Sequence, residues 1–252
     1  MIKAFFGGTF DPPHLGHFQS IDYIQTTLAI RHIDVLPCHI PPHKVSIANE
    51  AARLAMCELF IKTRANLSIN TFELEQNAPS YTFDTLQYLR RQFPSDCLIF
   101  IVGEDSWQNF TTWYRWQDIL SMCHLLVMPR KAQQTMRKNN LLTLPEKGSS
   151  LPISINSANI YDILPPNSGN FPKNRKKTHN LDKFKQVSIE QMHQILNNTT
   201  HGSVFMTNGS YHDISSTEIR RAIQAKQDVS EWIPEPVLNY IKTNNLYQIG
   251  DD

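Results

Sequence analysis

The stretch Ala4-Phe5-Phe6-Gly7-Gly8-Thr9-Phe10-Asp11-Pro12-Pro13-His14-Leu15-Gly16-His17 decides how the chain is read. It has the pattern of an apolar strand that stops at a glycine pair, turns tightly and enters a helix bearing two histidines three residues apart. Residues at i and i+3 share one helical face, so His14 and His17 can meet one ligand. Gly7 and Gly8 let backbone N–H groups approach an anion closely, and the helix adds partial positive charge at its N-terminus. Thr9 contributes a hydroxyl, and Pro12-Pro13 fixes the entry into the helix. Each feature is common alone; together they predict the phosphate cradle of a nucleotide site. Neither G-x-G-x-x-G nor G-x-x-x-x-G-K-[ST] occurs in this stretch, so the usual dinucleotide and P-loop fingerprints are absent.

Outward from this stretch, strand and helix patterns alternate. Apolar residues at Leu15, Phe18, Ile21, Ile24 and Leu28 predict a helix to about Ile30. Ile33 to Pro37 reads as a short buried parallel strand ended by proline. Asn49 caps a helix through Ala52, Met56, Leu59 and Phe60, and Leu67 to Leu74 alternates like a half-exposed strand. Ser80 or Thr82 caps a helix ending near Phe93-Pro94. Cys97 to Val102 is the clearest buried strand, closed by Gly103-Glu104-Asp105. Thr112-Trp113-Tyr114 opens a further helical pattern with Trp116, Ile119 and Leu120, and His124 to Met128 is a strand with Arg130 beyond its end. Ser188 to Leu196 reads as a short helix, Val204 to Met206 as a strand. Ser215 or Ser216 caps a helix with Glu218 in its first turn, and an amphipathic helix from Pro234 to about Asn244 closes the series. This alternation predicts an α/β fold, a doubly wound, mostly parallel sheet with a small C-terminal helical portion at 214–248.

Between Lys131 and Gly202 the pattern breaks. Ten Lys and Arg stand against four Asp and Glu from Lys131 to Thr200, with the basic run Lys173-Asn174-Arg175-Lys176-Lys177. So long a stretch without strong period predicts an insertion or mobile basic segment at 131–202 within a single domain spanning 1–252. A basic patch of this kind is usually a solvated face, and no nucleic-acid partner is expected.

Composition sets the remaining bounds. A chain of 252 residues, 40% hydrophobic and 19% charged, can bury a sizeable core. A net charge of +1 gives no whole-chain argument for nucleic acid or an acidic membrane surface. Cys38, Cys57, Cys97 and Cys123 are far apart and form no C-x-x-C pair, which suits reduced thiols better than a disulfide framework or a zinc site. Met1-Ile2-Lys3 runs straight into the first strand and no apolar run approaches membrane-spanning length, so a cytoplasmic protein without a membrane partner is expected.

The stretch Gly7 to His17 and the later Ile214-Ser215-Ser216-Thr217-Glu218-Ile219-Arg220 together resemble the H-x-G-H and I-S-S-T-x-I-R hallmarks of the nucleotidyltransferase superfamily. Pro41-Pro42-His43-Lys44, Ser80-Tyr81-Thr82-x-Asp84-Thr85-Leu86, Gly103-x-Asp105-Ser106, Thr112-Trp113-Tyr114 and Pro234-Glu235-Pro236-Val237 are similar to bacterial nicotinate-nucleotide adenylyltransferases within it. The segment after Met128 departs: Pro129-Arg130-Lys131 lacks the Arg-Pro-Gly often found there. The resemblance implies a Rossmann-like nucleotidyltransferase sheet and adenylyl transfer from ATP to nicotinate mononucleotide. The products would be deamido-NAD and pyrophosphate, as in NAD biosynthesis, with NAD itself only a downstream product. Since the attacking phosphate oxygen is already anionic, no enzyme nucleophile or covalent intermediate is required.

Site residues follow from the same resemblance. Gly7, Gly8, Thr9, Phe10 and Gly16 would cradle the reacting phosphates, and His14 and His17 would hydrogen-bond them. Lys44 and Arg220 would neutralise triphosphate oxygens, and Ser215, Ser216 and Thr217 would present a second helix N-terminus. Trp113 would stack on the pyridine ring, Thr82 and Tyr114 would read the nicotinate carboxylate, Asp105 would receive ribose hydroxyls, and Arg130 belongs to this acceptor set. Mg2+ is expected on the ATP phosphates, with no protein ligand assigned. The alternatives are adenylyl transfer to nicotinamide mononucleotide or phosphopantetheine, or a non-catalytic nucleotide-binding protein; intact His14, His17, Lys44 and Arg220 argue against the last.

Overall fold

The computed structural model describes residues 1–41, 46–62, 64–128, 153–156, 185–207 and 214–248. Lys44, Arg130 and the basic run at 173–177 lie outside the described residues. The chain divides into two compact units, Met1–Ala4 with Thr82–Tyr211, and Phe5–Tyr81 with His212–Asp252. Strand β1 (Ile2–Gly8) contributes its start to the one and its end to the other.

In the unit containing Phe5–Tyr81, β1 is followed across the sheet by β2 (Ile33–Pro37) and then β3 (Leu67–Ile69). β2 and β3 pair in parallel, Ile33 opposite Leu67. Helices α1 (Leu15–Thr26) and α2 (Glu50–Ile61) follow β1 and β2. They meet where Phe18 stacks on Phe60, ring centroids 3.8 Å apart. Asn49 caps α2 as expected, its side chain accepting from the Ala52 amide at 2.9 Å. The unit ends with two helices from the C-terminal part of the chain, α7 (Ser216–Gln224) and α8 (Glu235–Thr243), numbered after those of the other unit.

In the other unit the sheet runs from β1 through β4 (Cys97–Gly103), β5 (His124–Met128), β8 (Val204–Met206), β6 (Ile153–Asn156) and β7 (Lys185–Val187). β4, β5 and β8 are parallel. Every residue of β5 is buried, and in β4 only Gly103 is not, as strands covered on both faces require. Helices α3 (Thr82–Gln92), α4 (Glu104–Gln108), α5 (Trp116–Ile119) and α6 (Ile189–Asn198) complete it. The expected mostly parallel, doubly wound sheet is present, with an antiparallel edge: β6 pairs with β8, and β7 with β6.

Several expected boundaries change. Within 131–202 the short helix expected from Ser188 to Leu196 is present as α6, whereas β6 and β7 were not expected; strands of three or four residues carry too little period to be read. The strand expected over Leu67 to Leu74 stops at Ile69, because the Asn70 side chain accepts the Phe72 amide at 3.1 Å and bends the chain. Helix α1 ends at Thr26 rather than near Ile30, and Ala29 is left-handed with φ 54. Thr82 is the first residue of α3 rather than its cap, and the Ser80 hydroxyl accepts the His39 amide at 2.9 Å instead. The helical pattern expected from Thr112 shrinks to a 3-10 turn at Phe110–Thr112 and the single turn of α5. All four cysteines are free, and burial pushes the Cys97 thiol up to about 11.

One buried histidine gives the fold a pH dependence. His124 Nδ1 accepts the Ser203 amide at 3.1 Å, and Nε2 lies 3.4 Å from the Thr199 carbonyl. Burial pushes its imidazole from 6.5 down to about 4. The unfolded chain therefore takes up this proton at a higher pH than the folded one. Stability held by His124 above its unfolded pKa is lost as pH falls from about 6.5 to about 4. The loss totals roughly 3–4 kcal/mol at most, at roughly 1.4 kcal/mol per unit. Urea unfolding across this window is expected to show a steeper fall for the wild type than for His124→Asn; equal slopes would refute the assignment.

Candidate active site

The turn after β1 is held by buried charges. Phe10 adopts φ 51, a left-handed conformation uncommon for a bulky side chain, and is 2% exposed. Its ring folds back over Gly8, where an added Cβ would stand 3.0 to 3.3 Å from three ring atoms. Gly8 is thus required by close approach, and its carbonyl accepts the Cys38 amide at 3.0 Å. Beneath the turn lies Arg53, 1% exposed. Its guanidinium donates to the carbonyls of Thr9 at 3.0 Å, Cys38 at 2.6 Å and His39 at 2.7 Å.

Asp11 is 3% exposed, and its carboxylate is surrounded by donors. It accepts from the amides of Ile47 at 2.8 Å and Ala48 at 3.1 Å, and from the Tyr247 phenol at 2.8 Å. Arg220 Nη1 lies 3.7 Å from Oδ2 and donates to the Asp11 main-chain carbonyl at 2.6 Å.

His14 occupies the N-cap position of α1 and is 5% exposed. Its amide donates to His17 Nδ1 at 3.1 Å, so a neutral His17 carries its proton on Nε2. The two imidazoles lie 3.8 Å apart, centroid to centroid. Phe6, Phe10 and Phe60 stand edge-on around His17, with centroids 5.9, 5.0 and 6.4 Å away. The amide of Leu15 is taken by the Trp232 carbonyl at 2.9 Å, so part of the donor set at this helix start is engaged within the protein. Gly16 is buried in the first turn.

Helix α7 begins with a capping box: Ser215 Oγ accepts the Glu218 amide at 3.2 Å, and Glu218 accepts from the Ser215 amide at 2.9 Å and hydroxyl at 2.7 Å. The Ser216 hydroxyl donates to the Pro12 carbonyl at 3.0 Å, and Thr217 Oγ1 accepts from Arg220 Nη2 at 3.2 Å. Gly7, Gly8, Thr9, Phe10, His14, Gly16, His17, Ser215, Ser216, Thr217 and Arg220 all lie in this one unit.

In the other unit, the acceptor candidates lie on two aromatic centres, Phe110 and Phe83, and on α4. Phe110 is fully buried and packs on Trp107, Trp113 and Trp116, with centroids 5.3, 5.4 and 6.0 Å away. Trp113 is half-buried at the end of the 3-10 turn. Tyr114, 50% exposed, meets the edge of Phe83, the residue after Thr82, at 5.9 Å. Arg115 lies 4.0 Å over the same Phe83 ring and pairs with Asp118 at 2.7 Å. Tyr114 is thus brought beside Phe83 and Thr82, while its neighbour Trp113 packs on Phe110. Asp105 belongs to a different element, exposed in the first turn of α4 after Gly103.

Asp11, Arg53 and Tyr247 were missed from the sequence as site residues. Arg53 left a signal: it occupies the apolar stripe of α2 together with Met56, Cys57 and Phe60, where an arginine must find acceptors. Asp11 left a weaker one, an acid inside an otherwise apolar turn. Tyr247 left none.

A glycine turn, two histidines at the start of the next helix and a second helix start bearing a cation are thus gathered in one unit. The cytidylyltransferase-like family matches residues 5–222. A Yersinia pestis (strain Pestoides F) protein named "probable nicotinate-nucleotide adenylyltransferase" is 30% identical, covering 98% of this chain and 96% of its own length. One of the same name from Pectobacterium atrosepticum is 31% identical, covering 98% and 99%. The solved Plasmodium falciparum nicotinic acid mononucleotide adenylyltransferase complexed with NaAD shares the fold, with a TM-score of 0.61 at 17% identity over 98% of this chain and 97% of that one. The chain belongs to the nicotinate-nucleotide adenylyltransferase family.

The fit of Phe10 over Gly8 gives a direct test. Gly8→Ala is expected to destabilise the protein by roughly 1–3 kcal/mol, because a buried left-handed Phe10 has nowhere to retreat. Gly103→Ala, whose Cβ would meet nothing within 4 Å, is expected to melt as the wild type does. Equal Tm values for the two variants would refute the close-approach account.

Proposed function

We propose that the chain catalyses adenylyl transfer from ATP to nicotinate mononucleotide, giving deamido-NAD and pyrophosphate in NAD biosynthesis. The observation that carries this reading is 30–31% identity to named nicotinate-nucleotide adenylyltransferases over 98% of the chain, on a fold with the histidine pair at its first helix start. A phosphate oxygen of the mononucleotide attacks the α-phosphorus of ATP, a new P–O bond forms in line, and the bond to the departing pyrophosphate breaks. The nucleophile arrives anionic, so the protein's work is alignment and stabilisation of charge on the phosphoryl oxygens.

His17, with its proton on Nε2, donates to an ATP phosphate oxygen, and His14 beside it acts on the same group. The turn at Gly7, Gly8, Thr9 and Phe10 supplies the backbone and hydroxyl cradle for the reacting phosphates, and Gly16 keeps that face of α1 free of side chain. Arg220 and Lys44 neutralise triphosphate oxygens, and the amides at the start of α7 add donors. The acceptor is held by Trp113 against its pyridine ring, by Thr82 and Tyr114 at the carboxylate and by Asp105 at the ribose, with Arg130 nearby in sequence to the end of β5. ATP enters as its Mg2+ complex. Guanidinium, imidazole and hydroxyl donors suit phosphate, and no group of three or more His, Cys, Asp or Glu that could hold a metal gathers among the described residues. No helix among the described residues is long and apolar enough to cross a membrane. By its likeness to the bacterial nicotinate-nucleotide adenylyltransferases, we propose a cytoplasmic enzyme.

Comparing kcat/KM for nicotinate mononucleotide, nicotinamide mononucleotide and phosphopantetheine with MgATP tests the assignment. The first is expected to be favoured at least about tenfold, as loss of one buried polar pairing implies; equal or better use of phosphopantetheine overturns it. His17→Asn is expected to lower kcat about 100-fold, the order seen when one preorganised donor is lost. Near-normal turnover in a folded variant would remove His17 from the mechanism.

A further inference from the structure

Tyr247 reaches the phosphate turn from the far end of the chain. It is 5% exposed, and its phenol donates to Asp11 Oδ1 at 2.8 Å. Tyr247 itself has φ 65 and Asn245 φ 51, so two non-glycine residues in three adopt the left-handed region. Such backbone is held only where surrounding contacts over-determine it; here it turns the ring inward. Burial, reinforced by Asp11, pushes the phenol well up, so it remains a protonated donor.

We propose that Tyr247 is a positioning residue for the phosphate-binding cation: its phenol holds the Asp11 carboxylate, which sets where Arg220 presents its guanidinium. The inference rests on the reading of Arg220 as a triphosphate-binding group. On Oδ1 the carboxylate takes Tyr247 and the Ala48 amide; on Oδ2 it takes the Ile47 amide and faces Arg220 at 3.7 Å. Three neutral donors thus spread the charge of Asp11, and Arg220 stands outside hydrogen-bond distance of the carboxylate while donating to the Asp11 carbonyl. Without the phenol, Oδ1 keeps one donor of its two. The carboxylate then competes more strongly for Arg220, and less of the guanidinium is offered to the triphosphate.

Tyr247→Phe removes one oxygen and keeps the ring. Its KM for MgATP is expected to rise about fivefold, the effect of one hydrogen bond to a charged group acting at one remove. The kcat and the KM for nicotinate mononucleotide should stay within about twofold of wild type. In an Arg220→Lys background the same substitution should leave the KM for MgATP unchanged, since a residue acting through Arg220 cannot act twice. Asp11→Asn, which keeps shape and drops charge, provides a second cycle in which Tyr247→Phe should again be silent. Tm and the MgATP-induced rise in Tm are read on every variant, so that loss of fold is separated from loss of positioning. An unchanged KM for MgATP in Tyr247→Phe, or an equal fold-change in both backgrounds, overturns the positioning role and leaves the assigned reaction standing. Wild-type KM and kcat in Arg220→Lys would instead remove Arg220 from the phosphate site, and the inference falls with it.

Discussion

A carboxylate withdrawn from water needs donors on every side, and the first turn of this protein is built around that need. Asp11 is 3% exposed in the turn that joins the glycine pair to the histidines of α1. An unpaired charge there costs several kcal/mol, so three parts of the chain converge on it: the Ile47–Ala48 amides ahead of α2, the phenol of Tyr247 and Arg220 of α7, which faces it at 3.7 Å. Arg53 is its counterpart, a buried cation whose guanidinium donors go to three main-chain carbonyls. One charge gathers amides and the other gathers carbonyls. Between them they fix the backbone on both sides of Thr9 and Phe10.

What could be read in the sequence was what local chemistry writes plainly. The apolar run of β4, the Asn49 cap of α2 and the Ser215–Glu218 capping box of α7 each depend on neighbours within a few residues, and each is present. The failures come from interactions between distant residues or from elements too short to show a period. β6 and β7 are four and three residues long and exist because each pairs antiparallel with another strand. Alternation over Leu67 to Leu74 promised a strand, but the side chain of Asn70 diverts the backbone after Ile69.

The site divides in the same way. Its glycines, histidines and hydroxyls lie in two short motifs and were legible; the residues that hold them were not. Tyr247 lies 236 positions from the Asp11 it donates to, and no local pattern encodes such a contact. Arg53 was half-legible, since an arginine on an apolar stripe implies buried acceptors, although not which ones. His17 shows the same limit from another direction. The motif places it beside His14, but the edge-on setting among Phe6, Phe10 and Phe60, which fixes the ring, follows only from packing.

The second helix start carries a further consequence for catalysis. The hydroxyls of Ser215, Ser216 and Thr217 are bonded to Glu218, to the Pro12 carbonyl and to Arg220 respectively. A phosphate accepts, so it must displace the bonds donated by Ser215 and Ser216, whereas Thr217 only accepts from Arg220 and keeps its proton to donate; exchanging one hydrogen bond for another yields little net binding energy. The gain is largest where the incoming oxygen carries the most charge, because charge-assisted bonds are roughly twice as strong as neutral ones. During adenylyl transfer that oxygen belongs to the departing pyrophosphate. On the proposed role of this helix start, the Ser215 and Ser216 hydroxyls, already donating within the protein, would favour the transition state over ground-state ATP, the selectivity that raises kcat rather than merely lowering KM.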